Sequence, residues 1–354
     1  MNRAAQLAIL AFSLTAALSD HSQATVRFNR VFGSNCVLQQ KMILPVFGSA
    51  ASGESVTVTI GTQSVSTTTP SSGKWRVNLQ PMAAGGPFTL KAQGTNSVTL
   101  SNVMVGEVWV ASGQSNMDDV KLNMADGWAA VSSAPADSSL RFLMSIPRVT
   151  ATTPSSEITT GTWTADSTSS RGNFSAVAYY FARELRRRLN VPIGIIWASR
   201  GATVIEQWMD RSYTTDLGIT YHGEGSAFTY AQYYYGMIRP LMPYGIKGVA
   251  WYQGESNAGL DHNQYYKLLV AFEKCWRTDW GQGAFPFLLV QLPPFGGATS
   301  NGGWAEVREA QLKASETLAR TALAITIDVG DPAQIHPTNK EPVGVRLGLS
   351  LIHI

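Results

Sequence analysis

Two rhythms of apolar residues divide this chain. From Thr25 to about Ser101, hydrophobic and polar positions alternate, as in Val56-Thr57-Val58-Thr59-Ile60 and Trp75-Arg76-Val77-Asn78-Leu79. A period of two places every second side chain on one face of a strand, so these stretches predict half-buried β-strands. Phe88–Lys91 and Ser97–Leu100 continue the series, with a Ser/Thr-rich turn after Ile60 and a turn at Gly85-Gly86-Pro87. Short strands between turn signals imply a small sandwich-like module over residues 25–101.

From Val103 the rhythm changes to apolar strands separated by helical periods. Val108–Ala111, Leu140–Met144, Ile193–Ala198, Lys247–Tyr252, Phe287–Gln291 and Ala322–Asp328 are short and apolar, as buried strands of a parallel sheet are. Between them, Ser175–Leu189 carries Val177, Tyr180, Phe181, Leu185 and Leu189 near one face and predicts an amphipathic helix. Tyr230–Ile238, Asn263–Trp276 and Ala305–Ala319 predict further helices, whereas Asp118–Asp137 reads as loop with some helix and Val149–Asn173 as a Ser/Thr-rich loop bordering a cleft. Alternation of this kind predicts an α/β fold, a parallel sheet with helices on both faces.

Composition narrows the setting. The 354 residues suffice for one large or two ordinary domains, and 14% charged residues with 32 Gly and 10 Trp suit a compact protein. A net charge of +3, with no basic run beyond Arg186-Arg187-Arg188, excludes a nucleic-acid footprint. Residues 1–24 read as a secretory signal: Asn2-Arg3, an apolar run from Ala4 to Leu18, then Ser22-Gln23-Ala24 for cleavage. That run is too short to span a membrane, and no later segment reaches the ~20 apolar residues required. The expected location is therefore secreted or periplasmic. Cys36 and Cys275 fall in different expected domains and read as two free buried thiols, with no metal site.

The chemistry gathers at the ends of the predicted strands. Val108-Trp109-Val110-Ala111 runs into Gly113, and Ser115 follows between Gln114 and Asn116. A serine on a glycine turn after a strand is how an α/β sheet presents a nucleophile at its carboxyl edge. It is not the G-x-S-x-G elbow, because Met117 stands where the second glycine belongs. Three more polar stretches follow strands: Ser199-Arg200-Gly201-Ala202-Thr203, Gln253-Gly254-Glu255-Ser256-Asn257, and Asp328-Val329-Gly330-Asp331 with Gln334-Ile335-His336-Pro337. A serine, a glycine N–H, an amide side chain and a histidine at four strand ends are the parts for acyl transfer: nucleophile, oxyanion donors and general base. Among the histidines, His336 alone follows a predicted sheet strand. His21 lies in the leader, His222 in a Gly/Tyr-rich loop, His262 at a helix start and His353 in the tail.

These residues resemble the sialate O-acetylesterase branch of the SGNH (GDSL-like) hydrolases. The resemblance rests on G-Q-S-N-M at Gly113–Met117, I-G-I-I-W-A-S-R-G-A-T-V-I-E-Q-W at Ile193–Trp208 and W-Y-Q-G-E-S-N-A at Trp251–Ala258. It continues through W-G-Q-G-A-F-P-F at Trp280–Phe287, R-E-A-Q at Arg308–Gln311 and I-D-V-G-D…I-H-P-T-N-K at Ile327–Lys340. It implies an SGNH-type, flavodoxin-like three-layer sandwich over residues 102–348, preceded by the small all-β domain. It also implies a serine esterase that needs no cofactor and removes O-acetyl groups from carbohydrates. Sialate is the first expected substrate, acetyl xylan or another plant polysaccharide the second; the alternative of another class is a non-catalytic carbohydrate-binding protein on the same fold. Carried over by position, Ser115 is the nucleophile, His336 the base, and the Ser115 N–H, Gly201 N–H and Asn257 side chain the oxyanion hole.

Two positions depart from the family pattern. Ala333 stands three residues before His336, where many SGNH enzymes have Asp, and Arg200 stands where the branch often has Trp. The group orienting His336 is then either the Glu255 carboxylate, which the reading favours, or a backbone carbonyl near Gln334. Gln114, Arg200 and Gln253 are the substrate-binding candidates, Gln253 serving equally to satisfy buried N–H groups. Leu349–Ile354 resembles a translated sequencing-adapter tail, so the helix begun at Lys340 is expected to be cut short.

Overall fold

A computed structural model describes residues 25–144, 149–219, 229–259, 262–296 and 303–351. The leader, His222 and the last three residues lie outside that set, as does the side chain of His262. The chain opens with β1 (Arg27–Phe28), β2 (Val37–Gln39), β3 (Leu44–Ser49), β4 (Ser55–Ile60), β5 (Gln63–Thr68), β6 (Lys74–Leu79) and β7 (Gly85–Gln93). It continues through β8 (Ser97–Gly113), α1 (Ser115–Asp118), α2 (Trp128–Ser133), β9 (Leu140–Met144), β10 (Thr162–Ala165), α3 (Thr168–Arg171), α4 (Ala176–Leu189) and β11 (Ile193–Ser199). The last part holds β12 (Gly248–Tyr252), α5 (His262–Trp280), β13 (Phe287–Val290), α6 (Trp304–Thr317), β14 (Thr321–Ala324) and α7 (Glu341–Ser350).

The period-two stretches are strands with the expected burial. In β4 and β6 the odd-even pattern of the sequence becomes buried Val56, Val58 and Ile60, and buried Trp75, Val77 and Leu79. The Ser/Thr-rich turn after Ile60 is instead a strand. Ile60 pairs with Gln63, so β4 and β5 form a two-residue hairpin. Threonine fits a pleated surface whether or not a face is buried, so a polar strand carries no hydrophobic alternation to betray it. For the same reason β10 lies hidden inside the expected 149–173 loop. It runs antiparallel to β9 and buries Trp163, whose indole N–H donates to the Val31 carbonyl at 2.8 Å.

β8 organises the molecule. Two separate strands were expected, at Ser97–Leu100 and Val108–Ala111; they are one 17-residue strand. Its first part pairs antiparallel with β7 and its second part, Glu107–Gly113, runs parallel between β11 and β12. The strand thus carries straight through the expected boundary at Ser101. The sheet around it has the order β10-β9-β11-β8-β12-β13-β14, with β10 antiparallel and the rest parallel. After β8 the chain builds β9 and β11 on one side and β12 to β14 on the other. The carboxyl end of β8 is therefore the point where the winding reverses, the place where open α/β sheets bind ligands.

Helices cover both faces, and the pleat shows it. Trp251 of β12 is level with Ser112 of β8, so it shares a face with even-numbered β8 residues and not with Trp109. Trp109 packs edge-on against Phe181 of α4 at 5.3 Å, whereas Trp251 lies against Phe272 of α5 at 4.4 Å. The result is a mixed α/β fold around one large mixed sheet. Cys36 and Cys275 are both buried and unpaired. Among the described residues no helix is long and apolar enough to cross a membrane.

Candidate active site

Ser115 sits where β8 ends and α1 begins. The turn between them requires glycine: Gly113 has φ +135°, and a Cβ built on it would lie 2.0 Å from the Tyr252 oxygen. That close pass lets the Gln114 N–H bond to the Tyr252 carbonyl at 2.9 Å, while the Arg200 N–H bonds to the Gly113 carbonyl at 3.0 Å. The loops after β11 and β12 are thereby drawn to either side of the serine. Ser115 keeps 6% exposure, and its N–H opens a helical turn, where no earlier helical carbonyl can accept it.

On the β11 side stands Gly201. A Cβ there would fall 3.4 Å from Ser115 Cβ and 2.6 Å from Asp119 Oδ2, so this backbone lies against the nucleophile and any side chain on it would press on the Asp119 carboxylate. Its N–H donates to Asp118 Oδ2 at 3.3 Å, and Ser199 Oγ donates to Asp118 Oδ1 at 3.2 Å. The bond to Gly201 is long and would exchange readily for a stronger acceptor. Arg200, half-buried beside it, makes no ion pair among the described residues.

On the β12 side the expected site residues are held in a buried hydrogen-bond network. Asn257 is fully buried: its Oδ1 accepts from the Ile205 N–H at 3.0 Å and from Gln253 Nε2 at 2.7 Å, and its Nδ2 donates to Glu206 at 2.9 Å. A backbone donor fixes which way the amide points, and Glu206 takes one of the two Nδ2 hydrogens. Gln253 and Gln114, at 0% and 2% exposure, are buried as well. Gln253 Nε2 donates to Gln114 Oε1 and the Thr203 carbonyl, and its Oε1 accepts from the Tyr265 hydroxyl. These amides stitch three loops together beneath the serine. Replacing Asn257 by alanine should cost about 1–3 kcal/mol of stability by stranding the Ile205 N–H. Well below the melting temperature it should leave kcat within about tenfold, whereas a lost oxyanion donor costs about 10²–10³. Thermal unfolding and steady-state kinetics on one variant separate the two.

Glu255 likewise departs from the favoured role. Its Oε1 accepts from Asn116 Nδ2 at 2.6 Å, and its Oε2 is buried without a hydrogen bond. Among the described residues neither this carboxylate nor the Gln334 carbonyl makes a hydrogen bond to His336. His336 and Ser115 make no hydrogen bond to each other in this state; catalytic contacts of this kind commonly tighten only with substrate bound. Asp331 accepts the Ala333 N–H at 2.8 Å and shapes the turn before the histidine.

His336 is half-buried in a cleft of roughly 340 Å³ also lined by Asp126, Asp328, Asp331 and Gln334. Burial holds its imidazole below the usual value of 6.5; Asp119 opposes this and the Lys340 charge reinforces it. A base must be neutral, so the acid limb of kcat/KM should fall through a midpoint below 6.5, with most of the rate kept at that pH. A midpoint above 7 in a pH–rate profile would exclude this histidine environment.

Three residues went unassigned by sequence reasoning. Asp118, at the start of the stretch read as loop with some helix, is 2% exposed and anchors Ser199 and Gly201. Asn116 and Lys340 were quoted within motifs without a role, yet Lys340 Nζ donates to Asn116 Oδ1 at 2.5 Å and is itself fully buried. A lysine at a helix start reads as solvated, and only the spacing His336…Lys340 hinted otherwise. No group of three or more metal-binding side chains occurs among the described residues.

Comparison with known proteins places the chain among carbohydrate esterases. Residues 105–353 match the model of the family described as carbohydrate esterase, sialic acid-specific acetylesterase. The sialate O-acetylesterase of Homo sapiens is 29% identical over 365 residues, spanning 91% of this chain and 70% of that protein. That of Rattus norvegicus is 28% identical over 391 residues, spanning 91% and 72%. Among solved structures, a carbohydrate acetylesterase from Xanthomonas citri superposes with a TM-score of 0.85 at 35% identity, covering 93% of this chain and 74% of that one.

Proposed function

The chain belongs to the carbohydrate esterase family of sialic acid-specific acetylesterases, and on that footing we propose that Ser115 and His336 form a nucleophile–base pair that removes O-acetyl groups from carbohydrates. One observation carries the reading: at the switch point of the sheet, the Ser115 turn lies against the Gly201 backbone, and the Asn116 amide next to that serine bonds the Ile335 carbonyl beside His336. Ser115 Oγ attacks the acetyl carbonyl as His336 takes its proton. The carbonyl oxygen, now negative, is held by the Ser115 and Gly201 N–H groups, the latter leaving Asp118. His336 then protonates the departing sugar oxygen, and a water activated by the same imidazole releases acetate from Ser115.

Sialate is the first substrate of this reading, with Arg200 as the cation facing its carboxylate. A neutral acetylated polysaccharide such as xylan is the second. It is favoured by Asp126 and Asp331 along the His336 cleft, which repel a sugar carboxylate; Asp328, also in the cleft, is ion-paired to Arg346. The test is acetate release from O-acetylated sialic acids and from acetylated xylo-oligosaccharides, by wild type and Arg200→Ala. The sialate reading expects the variant to raise KM for sialate alone by about tenfold or more, the worth of one charged hydrogen bond. An unchanged ratio favours the neutral substrate, and a protein that only binds sugar releases no acetate at all. The same reading takes residues 1–24 as an export leader, the strands before Ser101 as a supporting β module, and the remainder as the SGNH-type layered domain.

A further inference from the structure

The mechanism above leaves a buried charge pair without a use. Lys340, at the start of α7, is fully buried; its ammonium donates to Asn116 Oδ1 at 2.5 Å and faces the Tyr252 ring at 5.4 Å. On the other side of the same amide, Asn116 Nδ2 donates to Glu255 Oε1 at 2.6 Å and to the Ile335 carbonyl at 3.0 Å. A cation and an anion are thus separated by one side-chain amide. That amide belongs to the residue after the nucleophile, and the carbonyl it grips belongs to the residue before the base.

Packing alone does not explain such an arrangement. Desolvating two ions costs several kcal/mol each, and apolar residues of the same volume often hold a fold as well or better. The strain is visible in both partners: burial pushes the Glu255 carboxyl up and the Lys340 ammonium down, each only partly relieved by the other. What charges supply, and packing does not, is polarity. An amide can lie in its socket two ways round. With an ammonium on one side and a carboxylate on the other, only one way satisfies both, and that way aims Nδ2 at Ile335.

We propose that Lys340 and Glu255 are positioning residues that pole the Asn116 amide, and so fix the Ser115 turn against the His336 loop in reactive register. This rests on the assignment of Ser115 and His336 given above. The groups facing the pair are Tyr252 of β12 and Tyr265 of α5 near Glu255, and His336 on the loop of Lys340, with Asp119 facing that imidazole from beyond α1.

The experiment compares wild type, Glu255→Gln, Lys340→Met and the double variant with an aryl acetate as substrate, recording Tm, kcat, KM and the pH profile. Misplacing reacting groups by about 1 Å costs on the order of 10²-fold. Each single variant should therefore lower kcat by about 10- to 100-fold with KM within about twofold. Lys340→Met should also move the acid limb upward, because a positive charge that disfavours His336 protonation is gone. The double variant is decisive. It removes both buried charges, so its Tm should return to or exceed that of wild type while kcat stays low. Wild-type kcat in the double variant overturns the proposal, since the pair would then serve folding alone. If Lys340→Met does not fold, the double variant decides by itself. Ser115→Ala and His336→Ala run alongside: full activity in either sinks the underlying site, whereas their inactivity beside an active double variant sinks only the poling role.

Discussion

Ser115→Ala should lower kcat/KM for an aryl acetate by at least about 10⁴-fold, with Tm within a few degrees of wild type. Loss of a serine nucleophile removes the covalent route, and what remains comes from oxyanion donors and binding, about 10³–10⁴ over water. The fold should not notice. Ser115 is small, Gly113 and not the serine makes the turn, and the neighbouring contacts run through the Gln114 backbone and the Asn116 side chain. An organophosphate should add once, on the peptide that contains Ser115, and abolish activity in proportion to labelling. Retained hydrolysis in the variant, or stoichiometric label elsewhere, would move the nucleophile to another residue.

Gly113→Ala should produce a large structural loss at the end of β8. Two penalties coincide there. The backbone lies at φ +135°, and the new methyl would meet the Tyr252 oxygen at 2.0 Å and the Tyr252 nitrogen at 2.9 Å. The obstacle is the backbone of the neighbouring strand, paired with Gly113 itself, so no side chain can swing aside. Relief requires parting β8 from β12 at the end that carries the serine. Strain of this kind costs on the order of 3 kcal/mol or more, which lowers Tm by roughly 6–12 °C in a domain of a few hundred residues. Activity should fall with it, because the Gln114 N–H loses the Tyr252 carbonyl. Thermal unfolding and kinetics of this variant at 20 °C suffice; wild-type values in both would contradict the crowding described.

Some of this was written in the sequence in plain terms. Val108–Ala111, Ile193–Ala198 and Phe287–Gln291 declare themselves as buried strands because an all-apolar run of four to six residues has no stable place except between two covered faces. Ser175 and Leu189 bracket a helix for equally local reasons, an N-cap hydroxyl that accepts the Ala178 N–H and an apolar stripe. The order of strands and helices then placed Ser115, Gly201, the Gln253–Asn257 loop and His336 at strand ends, and so named the chemistry. β5 and β10 escaped because each holds too few apolar residues, Val65 in one and Trp163 with Ala165 in the other, to show a period. β8 looked like two strands because its continuity depends on pairing with β7, β11 and β12, partners distant in the chain.

The roles inside the site were decided elsewhere. Nothing in Gln253-Gly254-Glu255-Ser256-Asn257 says which side chain meets the cleft. The Ile205 N–H turned Asn257 inward, and Asn116 claimed the carboxylate expected beside His336. Lys340 became a buried cation only because α7 begins over the loop after β12. Composition and period are properties of one residue and its near neighbours, and they determined the elements, their order and the inventory of reactive groups. Hydrogen-bond direction and desolvation depend on what another segment presents across a few ångströms. They are settled only when β8, β11, β12 and the start of α7 converge on the same point.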